Sequence, residues 1–366
     1  MQISAFFAIL IPVSLFSFSC SPKHRLNDSA AQQKNAAFPG EKHFKNVRQM
    51  TFGGNNAEAY WSFDDKKLCF QSDNVNWGAQ CDQIYYFKVF EDNLKDNLPK
   101  HISIDGGRTT CSFFMPGDKS IIFASTQHAG KSCPEVPPRN PGGKYVWPIY
   151  KDYEIYTADL KGKILKQYTH NEFYDAEATV SPKGDKIVFT SDRSGDLELY
   201  VMNIDGTNVT QVTSELGYDG GAFFSPDGKK LVFRASRPKT PEDQTEYKEL
   251  LKKGLVQPTQ MELFTCNIDG SNMRQITHLG KANWAPFYHP SGNKIIFSSN
   301  HNGPKGYNFN LFMINEDGSG LEQISYDQTF DSFPMFSRNG KYLVFASNRE
   351  NGGTHDTNLF LAEWKD

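Results

Sequence analysis

Short apolar segments alternate with tight polar turns at regular intervals along most of this chain. The clearest unit starts at residues 222–233, where two apolar strands flank a Pro-Asp-Gly turn at 226–228. A glycine in this position supplies the positive φ that a tight turn requires. The alternation and the β-branched and aromatic residues of 231–235 are typical of a strand. Two more strands follow at 262–267 and 273–277, so each unit predicts four strands, and the units show no long helical periodicity.

The second-strand segment of this unit recurs along the chain at a spacing of roughly 45 to 65 residues. Each copy has a turn, a hydrophobic pair and a closing phenylalanine, and the six copies are Ser62–Phe70, Met115–Phe123, Ser181–Phe189, Ser225–Phe233, His289–Phe297 and Ser337–Phe345. Repeats of this length made of β-type residues are typical of propellers, in which one repeat forms one blade. We therefore expect an all-β fold, a six-bladed β-propeller with four-stranded blades.

The two ends of the repeat region complement each other. The first unit begins with an extra outer strand at 46–51, and the last unit ends with its third strand at 358–364. Pairing the N-terminal strand with the last blade would complete that blade and remove its unpaired edge. We therefore expect the ring to be closed by the N-terminal strand.

Two signatures of the repeat resemble those of the TolB-like propeller family. They stand here as Ser225-Pro-Asp-Gly-Lys and as the segment Asp205–Thr213, which reads Asp-Gly-Thr-x-x-x-Gln-hydrophobic-Thr. The resemblance covers about residues 44–366 and implies a six-bladed propeller. For function it implies several classes, since such propellers occur as scaffolds in cell-envelope complexes, as gating domains of prolyl-oligopeptidase-type proteases and in a few lyases.

The N-terminus differs from the repeats. Residues 3–18 are almost entirely apolar and lead to small residues before Cys20, a pattern that predicts a signal peptide at 1–19. A cysteine directly after the small residue resembles a bacterial lipobox, which implies lipidation of Cys20 and a lipid-anchored protein of the periplasm or outer membrane. A plain cleaved secretion signal, giving a soluble secreted protein, and an uncleaved anchor are the alternatives. Residues 20–43 are polar and aperiodic and predict a flexible tether, with the propeller at 44–366.

Composition and charge restrict the partners. The net charge is −3, and charges of both signs are interspersed, so the chain has no basic patch of the kind that nucleic acid requires. We expect a monomeric propeller that contacts the membrane only through its N-terminal lipid, and we expect its partner to be a protein or peptide of the cell envelope.

Polar residues recur where the innermost strand of each blade would enter the central channel. Six equivalent positions carry Asn56, Thr109, Asp175, Asp219, Asn283 and Asp331. Two residues further on, the same positions carry Glu58, Cys111, Glu177, Gly221, Ala285 and Phe333. We therefore predict a binding site at the channel mouth formed by Glu58, Asp175, Glu177, Asp219, Asn283 and Asp331. Two interpretations remain open: these groups bind backbone at the strand starts, or they hold a divalent cation or a cationic peptide group.

Three insertions are expected on the same face as the channel mouth. They occupy 73–80, 126–153 and 236–261, between the second and third strands of their blades. Long loops on one face of a rigid scaffold commonly bind ligands. The third insertion predicts a helix that begins after a Thr240 cap and ends near Lys253, which serves either as a lid or as packing. The second insertion carries four large aromatics that form either a contact surface or a small core, namely Tyr145, Trp147, Tyr150 and Tyr153.

Three cysteines are expected near that face. Cys81, Cys111 and Cys133 fall in the first and second units, and an oxidising compartment favours a disulfide that staples the long insertion. We predict Cys81–Cys133, with Cys111 either free or exchanged into the pair. A metal site with His128 is a further alternative, although the spacing matches no zinc signature. Cys69 and Cys266 are expected to be buried in strands.

The usual catalytic signatures are absent from the sequence. It has no Gly-x-Ser-x-Gly elbow, His-Glu-x-x-His motif, Walker loop or dinucleotide-binding glycine fingerprint. A trio of His170, Glu177 and Asp175 is possible but matches no motif. We therefore assign no catalytic residue and no cofactor beyond the divalent cation considered above. The sequence favours a non-catalytic scaffold that holds a protein or peptide partner, and the alternative is a lyase or hydrolase acting on a polysaccharide or peptide at the same face.

Overall fold

The computed structural model describes residues 35–138 and 143–366. Twenty-four of its strands form six four-stranded antiparallel sheets. The innermost strands are β2 (Asn56–Trp61), β6 (Thr109–Phe114), β11 (Asp175–Val180), β15 (Asp219–Phe224), β20 (Asn283–Tyr288) and β24 (Asp331–Phe336). The second strands are β3 (Lys67–Ser72), β7 (Ser120–Ser125), β12 (Lys186–Ser191), β16 (Lys230–Ala235), β21 (Lys294–Ser299) and β25 (Tyr342–Ser347).

The remaining strands complete the six sheets. The third strands are β4 (Gln83–Lys88), β9 (Glu154–Asp159), β13 (Glu198–Asn203), β18 (Glu262–Asn267), β22 (Asn310–Asn315) and β26 (Asn358–Trp364). The outer strands are β5 (Lys100–His101), β10 (Ile164–Gln167), β14 (Thr210–Gln211), β19 (Arg274–Gln275), β23 (Glu322–Gln323) and β1 (Phe44–Gln49). We number the blades 1 to 6 from the sheet that starts with β2.

The six sheets are the blades of a closed ring. Each innermost strand contacts the innermost strands of both neighbouring blades, and β2 of blade 1 contacts β24 of blade 6. This arrangement confirms the predicted all-β fold, a six-bladed propeller with four-stranded blades.

The repeated signatures make the hydrogen bonds that shape each blade. In blade 4, the Ser225 hydroxyl donates to Asp227 (2.7 Å) and accepts from the Lys230 N–H (2.9 Å), which fixes the turn between β15 and β16. In blade 3, the Thr213 hydroxyl accepts from the Leu199 N–H (2.9 Å). The same bond occurs in the other five blades, at Thr51–Leu359, Ser103–Ile84, Thr169–Ile155, Thr277–Leu263 and Ser325–Leu311. The Gln-hydrophobic-Thr signature thus joins each third strand to the segment after the outer strand.

The phenylalanine that closes each second-strand segment lies in the core. All six side chains are 0% exposed, and they are Phe70, Phe123, Phe189, Phe233, Phe297 and Phe345. Truncating such a residue to alanine costs about 3–5 kcal/mol. The repeated phenylalanine therefore supplies each blade with a large packing contribution.

The N-terminal part of the described chain belongs to blade 6. Strand β1 pairs antiparallel with β26, with Phe44 opposite Trp364. Residues 35–43 lie in the same compact unit as the propeller. Glu41 is 5% exposed and accepts hydrogen bonds from Arg349 (3.0 and 3.2 Å). The structure thus places residues 35–43 with the propeller and not in the flexible tether predicted at 20–43. The signal peptide, Cys20 and tether residues 20–34 lie outside the described residues.

The insertions of blades 2 and 4 are joined to each other. Strand β8 (Trp147–Pro148) of the first pairs with β17 (Leu255–Val256) of the second, and Lys144 forms an ion pair with Glu246. We call this joined structure the bridge; it comprises the described parts of 126–153 and 236–261. The insertion of blade 1 contains a short 3-10 helix, Val75–Trp77.

The bridge contains helix α1 (Pro241–Lys252), as predicted. The Thr240 hydroxyl accepts from the Asp243 N–H (3.1 Å) and the Asp243 carboxylate accepts from the Thr240 N–H (3.3 Å), which forms a capping box. Tyr247 of α1 is buried against blades 3 and 4 in a cluster that includes Leu197 and Tyr218. Among the described residues, no helix has the length and apolar character needed to cross a membrane.

Candidate binding site at the channel mouth

The third residue of every innermost strand has a left-handed backbone conformation. The pairing with the second strand shifts register at this point, so each strand carries a β-bulge. The six residues have φ between 44° and 59°, and they are Glu58, Cys111, Glu177, Gly221, Ala285 and Phe333. We call them the bulge ring. Any residue other than glycine in this conformation costs on the order of 1 kcal/mol, and the fold holds five such residues around the channel.

All members of the bulge ring line one cavity of about 420 Å³. Blades 1 to 3 contribute the polar members Glu58, Cys111 and Glu177, whereas blades 4 to 6 contribute glycine, alanine and phenylalanine. The bulge ring is therefore polar on one side and apolar on the other.

Aromatic side chains form much of the remaining cavity wall. The aromatic residues from outside the bulge ring are Tyr60, Tyr145, Trp147, Tyr150, Tyr153, Tyr174, Tyr218, Phe223, Trp284 and Phe330. Trp147 of the bridge packs on Trp284 of blade 5, with 5.0 Å between ring centroids. The four aromatics of the second insertion differ in environment: Tyr153 is buried in a small core, whereas Tyr145 is 46% exposed.

Glu177 is the centre of a buried hydrogen-bond network. Its carboxylate forms an ion pair with Arg234 and accepts from the hydroxyls of Thr190 (2.7 Å) and Tyr218 (2.9 Å). Burial opposes ionisation of Glu177, but the charge of Arg234 and these hydrogen bonds outweigh it and hold its pKa below the usual value. The glycine at 221 is required here, because a Cβ at that position would overlap the Arg234 guanidinium.

Glu58 has a different environment. Its Oε2 accepts hydrogen bonds from the Tyr60 hydroxyl (3.1 Å) and from the Cys111 thiol (3.1 Å). Burial raises the pKa of Glu58, and the negative charge of Glu177 adds to this effect. Burial and the charge of Glu58 also raise the pKa of Cys111 well above its usual value, so the thiol is protonated and acts as a donor.

The predicted aspartates at the channel mouth do not line the cavity. Asp175, Asp219 and Asp331 are completely buried, and they pair with Arg193 (2.7 Å), Arg237 (3.1 Å) and Arg349 (2.8 Å), respectively. Each arginine lies two residues after the second strand of the same blade. Burial raises the pKa of Asp219 and Asp331 to about 6 although the arginines oppose this shift. The prediction that these three residues form an open acidic mouth is therefore corrected, because they form internal ion pairs.

Asn283 is also buried, and its side-chain amide donates to the Met261 carbonyl (2.8 Å). This is the backbone interaction that the sequence left as one alternative. Of the six predicted mouth residues, the structure brings only Glu58 and Glu177 into the cavity.

A signal for the arginines was present in the sequence. Blades that start with aspartate have arginine two residues after the second strand, whereas blades that start with Asn56, Thr109 and Asn283 have Asn74, Gln127 and His301 there. The two positions therefore vary together across the repeats. The sequence carries no comparable signal for the cavity residues Arg234 and Trp284, because only the three-dimensional arrangement of the blades brings them to the channel.

The cysteines near this face are placed as follows. Cys81 and Cys133 form a disulfide, and Cys111 is a free thiol at the cavity. Cys69 and Cys266 are buried. Within residues 35–138 and 143–366, no group of three His, Cys, Asp or Glu side chains is arranged to hold a metal ion.

Comparison with known proteins supports the fold. A family model described as "TolB beta propeller domain" matches residues 149–242. The solved structure assigned as TolB from Agrobacterium tumefaciens is similar over 86% of this chain and 91% of its own, with 19% identity and a TM-score of 0.53. The gluconolactonase XC5397 from Xanthomonas campestris is similar over 88% and 91%, with 11% identity and a TM-score of 0.55. No curated protein matches the sequence. In fold, the chain is a TolB-like six-bladed β-propeller.

Proposed function

We propose that this protein is a non-catalytic binding propeller of the cell envelope that holds a peptide segment of a protein partner at the channel mouth. The observation that carries the proposal is the cavity of about 420 Å³ bounded by the bulge ring and the bridge. Its size lies within the range of about 300–1,000 Å³ that is usual for ligand sites. The envelope location rests on the predicted signal peptide and on the lipid anchor predicted at Cys20.

The construction of the site supports binding. Five residues with strained backbone conformations line the same cavity, and such strain is concentrated at functional sites. The Cys81–Cys133 disulfide links the bridge to blade 1, and the β8–β17 pairing joins its two insertions to each other. A rigid, aromatic-lined cavity loses little conformational entropy when it binds a ligand.

The proposal is tested with a library of displayed random peptides selected on the purified protein. The critical variant is Tyr145→Ala, since Tyr145 lines the cavity and is 46% exposed. The matched control is Tyr307→Ala, which removes an equally large side chain, 59% exposed, in blade 5 away from the cavity. We expect selected peptides to bind Tyr145→Ala about tenfold more weakly, which corresponds to about 1.4 kcal/mol, and to bind Tyr307→Ala as they bind the parent.

Two results would contradict the proposal. Selection of no peptide above background would argue against peptide binding, and equal affinity for both variants would place the peptide elsewhere.

The alternative, a lyase or hydrolase at the same face, is favoured by one observation. The pKa of Glu58 is raised by burial, as is common for a general acid or base. Mass spectrometry of the selected peptides and of acidic oligosaccharides after incubation separates the two functions. Cleaved products that disappear in Glu58→Gln would replace the binding proposal with catalysis.

A further inference from the structure

Glu58 and Glu177 occupy equivalent positions in blades 1 and 3, but only Glu177 has an ion-pair partner. The guanidinium of Arg234, on the second strand of the next blade, pairs with Glu177 and lies 5.4 Å from the Trp147 ring centroid and 5.1 Å from that of Tyr218. The protein thus builds a cage of one carboxylate and two aromatic rings around its own cation. This is an arrangement in which a cation is stabilised by both charge and π-electrons.

Comparison of the blades identifies the position from which an ion-pair partner of Glu58 would come. Arg234 stands opposite Gly220 in the pairing of β15 with β16. The equivalent residue in blade 2, opposite Thr110 in the pairing of β6 with β7, is Ala124. Ala124 is fully buried and carries no charge. The position that supplies the cation to Glu177 therefore supplies none to Glu58.

The charges that line the cavity leave Glu58 uncompensated. Arg108 pairs with Asp82, and Arg234 pairs with Glu177. Within the described part of the chain, the hydrogen bonds to the Glu58 side chain reach Oε2 and come from neutral donors, Tyr60 and Cys111. Arg234 acts on Glu58 only at a distance. A carboxylate in an aromatic cavity with no cation of its own favours a cationic ligand.

We propose that the cavity binds an alkylammonium group, as in a lysine side chain of the bound peptide, with the ammonium against Glu58 and the alkyl chain against the aromatic wall. This inference rests on the proposed function for the source of the ammonium. An ammonium suits the groups that line the cavity better than a divalent cation does. Calcium takes 6–8 oxygen ligands, whereas Glu58 is the one lining carboxylate without an arginine in the structure described here.

The test uses n-hexylammonium, with n-hexanol as a neutral probe of matched length, in calorimetric titrations of the intact protein. The variant is Glu58→Gln, and the control is Glu215→Gln, which removes an exposed carboxylate beside Arg237. We expect n-hexylammonium to bind the parent and the control about tenfold or more tightly than n-hexanol, and to lose about tenfold in affinity in Glu58→Gln. Equal binding of the two probes, no loss in Glu58→Gln, or no binding of n-hexylammonium to the parent would overturn the inference. Thermal unfolding checks that Glu58→Gln remains folded.

A second variant tests the comparison between blades. The double substitution Ala124→Arg/Cys111→Gly copies the arginine and the glycine of blade 4 into blade 2. A folded double variant supplies Glu58 with an internal cation, so n-hexylammonium binding is expected to be lost. Retained binding at the parent affinity would contradict the proposed position of the ammonium.

The failure of this inference can be distinguished from the failure of the proposed function. Peptides that bind in a Tyr145-dependent manner but equally well with lysine or N-acetyl-lysine would leave the peptide site standing and overturn the ammonium site. Glu58-dependent binding of n-hexylammonium without any bound peptide would support the ammonium site and overturn the peptide proposal.

Discussion

At the scale of single residues, the clearest consequence of burial is at Glu198, the first residue of β13. Glu198 is 2% exposed, its Oε2 has no hydrogen-bond partner within the described chain, and Asp196, Asp219 and Arg237 surround it. Burial raises its pKa from 4.5 to about 8, although Thr213 and Arg237 oppose this shift. The folded state therefore holds this proton to a higher pH than the unfolded state does.

The sign of the pH dependence follows from that shift. Below a pH of about 4.5, Glu198 is protonated in both states and costs no stability. As the pH rises through about 8, the unfolded state gains from ionisation before the folded state does, so the free energy of unfolding falls. We expect Glu198→Gln to unfold at a higher temperature than the parent at about pH 8, with a smaller difference at about pH 5. The control is Glu249→Gln on the exposed face of α1, and a constant difference at both pH values would contradict the prediction.

At the scale of elements, the first and second strands of blades 3, 4 and 6 are held together at the channel end by a buried aspartate–arginine pair. In blade 3, Asp175 is completely buried and Arg193 also packs over Phe189 and Tyr200. Removing one partner of a buried pair leaves an uncompensated charge, which costs about 3–5 kcal/mol, and less here because Arg193 is partly exposed. We expect Arg193→Asn to lower the free energy of unfolding by about 2–3 kcal/mol. The double variant Asp175→Asn/Arg193→Asn copies the uncharged pair of blade 1 and should recover most of the loss in urea unfolding. A double variant as unstable as the single one would show that packing, and not charge, dominates.

Elements that depend on neighbouring residues could be predicted from the sequence, whereas elements that depend on contacts between residues far apart in the chain could not. The turns, the second strands and helix α1 follow from neighbouring residues, as the caps of Thr240 and the turn of Ser225 illustrate. The β-bulges depend on the register between two strands, and the β8–β17 pairing joins residues more than a hundred positions apart. The alternation of side chains indicated that Glu58 and Glu177 share a face, but it could not show that buried arginines remove Asp175, Asp219 and Asp331 from the site.

At the scale of the whole molecule, the ring is closed by a segment from the N-terminal end. Strand β1 completes blade 6, and Glu41 just before it forms an ion pair with Arg349, which also pairs with Asp331 of the innermost strand. Both Glu41 and Arg349 have side chains that are inaccessible to solvent. A single arginine therefore connects the closing segment to the channel end of the last blade.

This connection makes Glu41 a stability determinant of the whole ring. In Glu41→Gln the buried guanidinium loses one of its two carboxylates, and we expect the free energy of unfolding to fall by about 2 kcal/mol or more. Because β1 and β26 close the ring, we expect the exchange of their amide hydrogens to accelerate first, ahead of that in the other blades. Hydrogen exchange measured by mass spectrometry gives this order directly. The matched control is Glu363→Gln, which breaks the exposed contact with Lys45 and should cost less than about 1 kcal/mol. Uniformly faster exchange in all six blades would indicate that the ring opens as one cooperative unit, with no weak point at its closure.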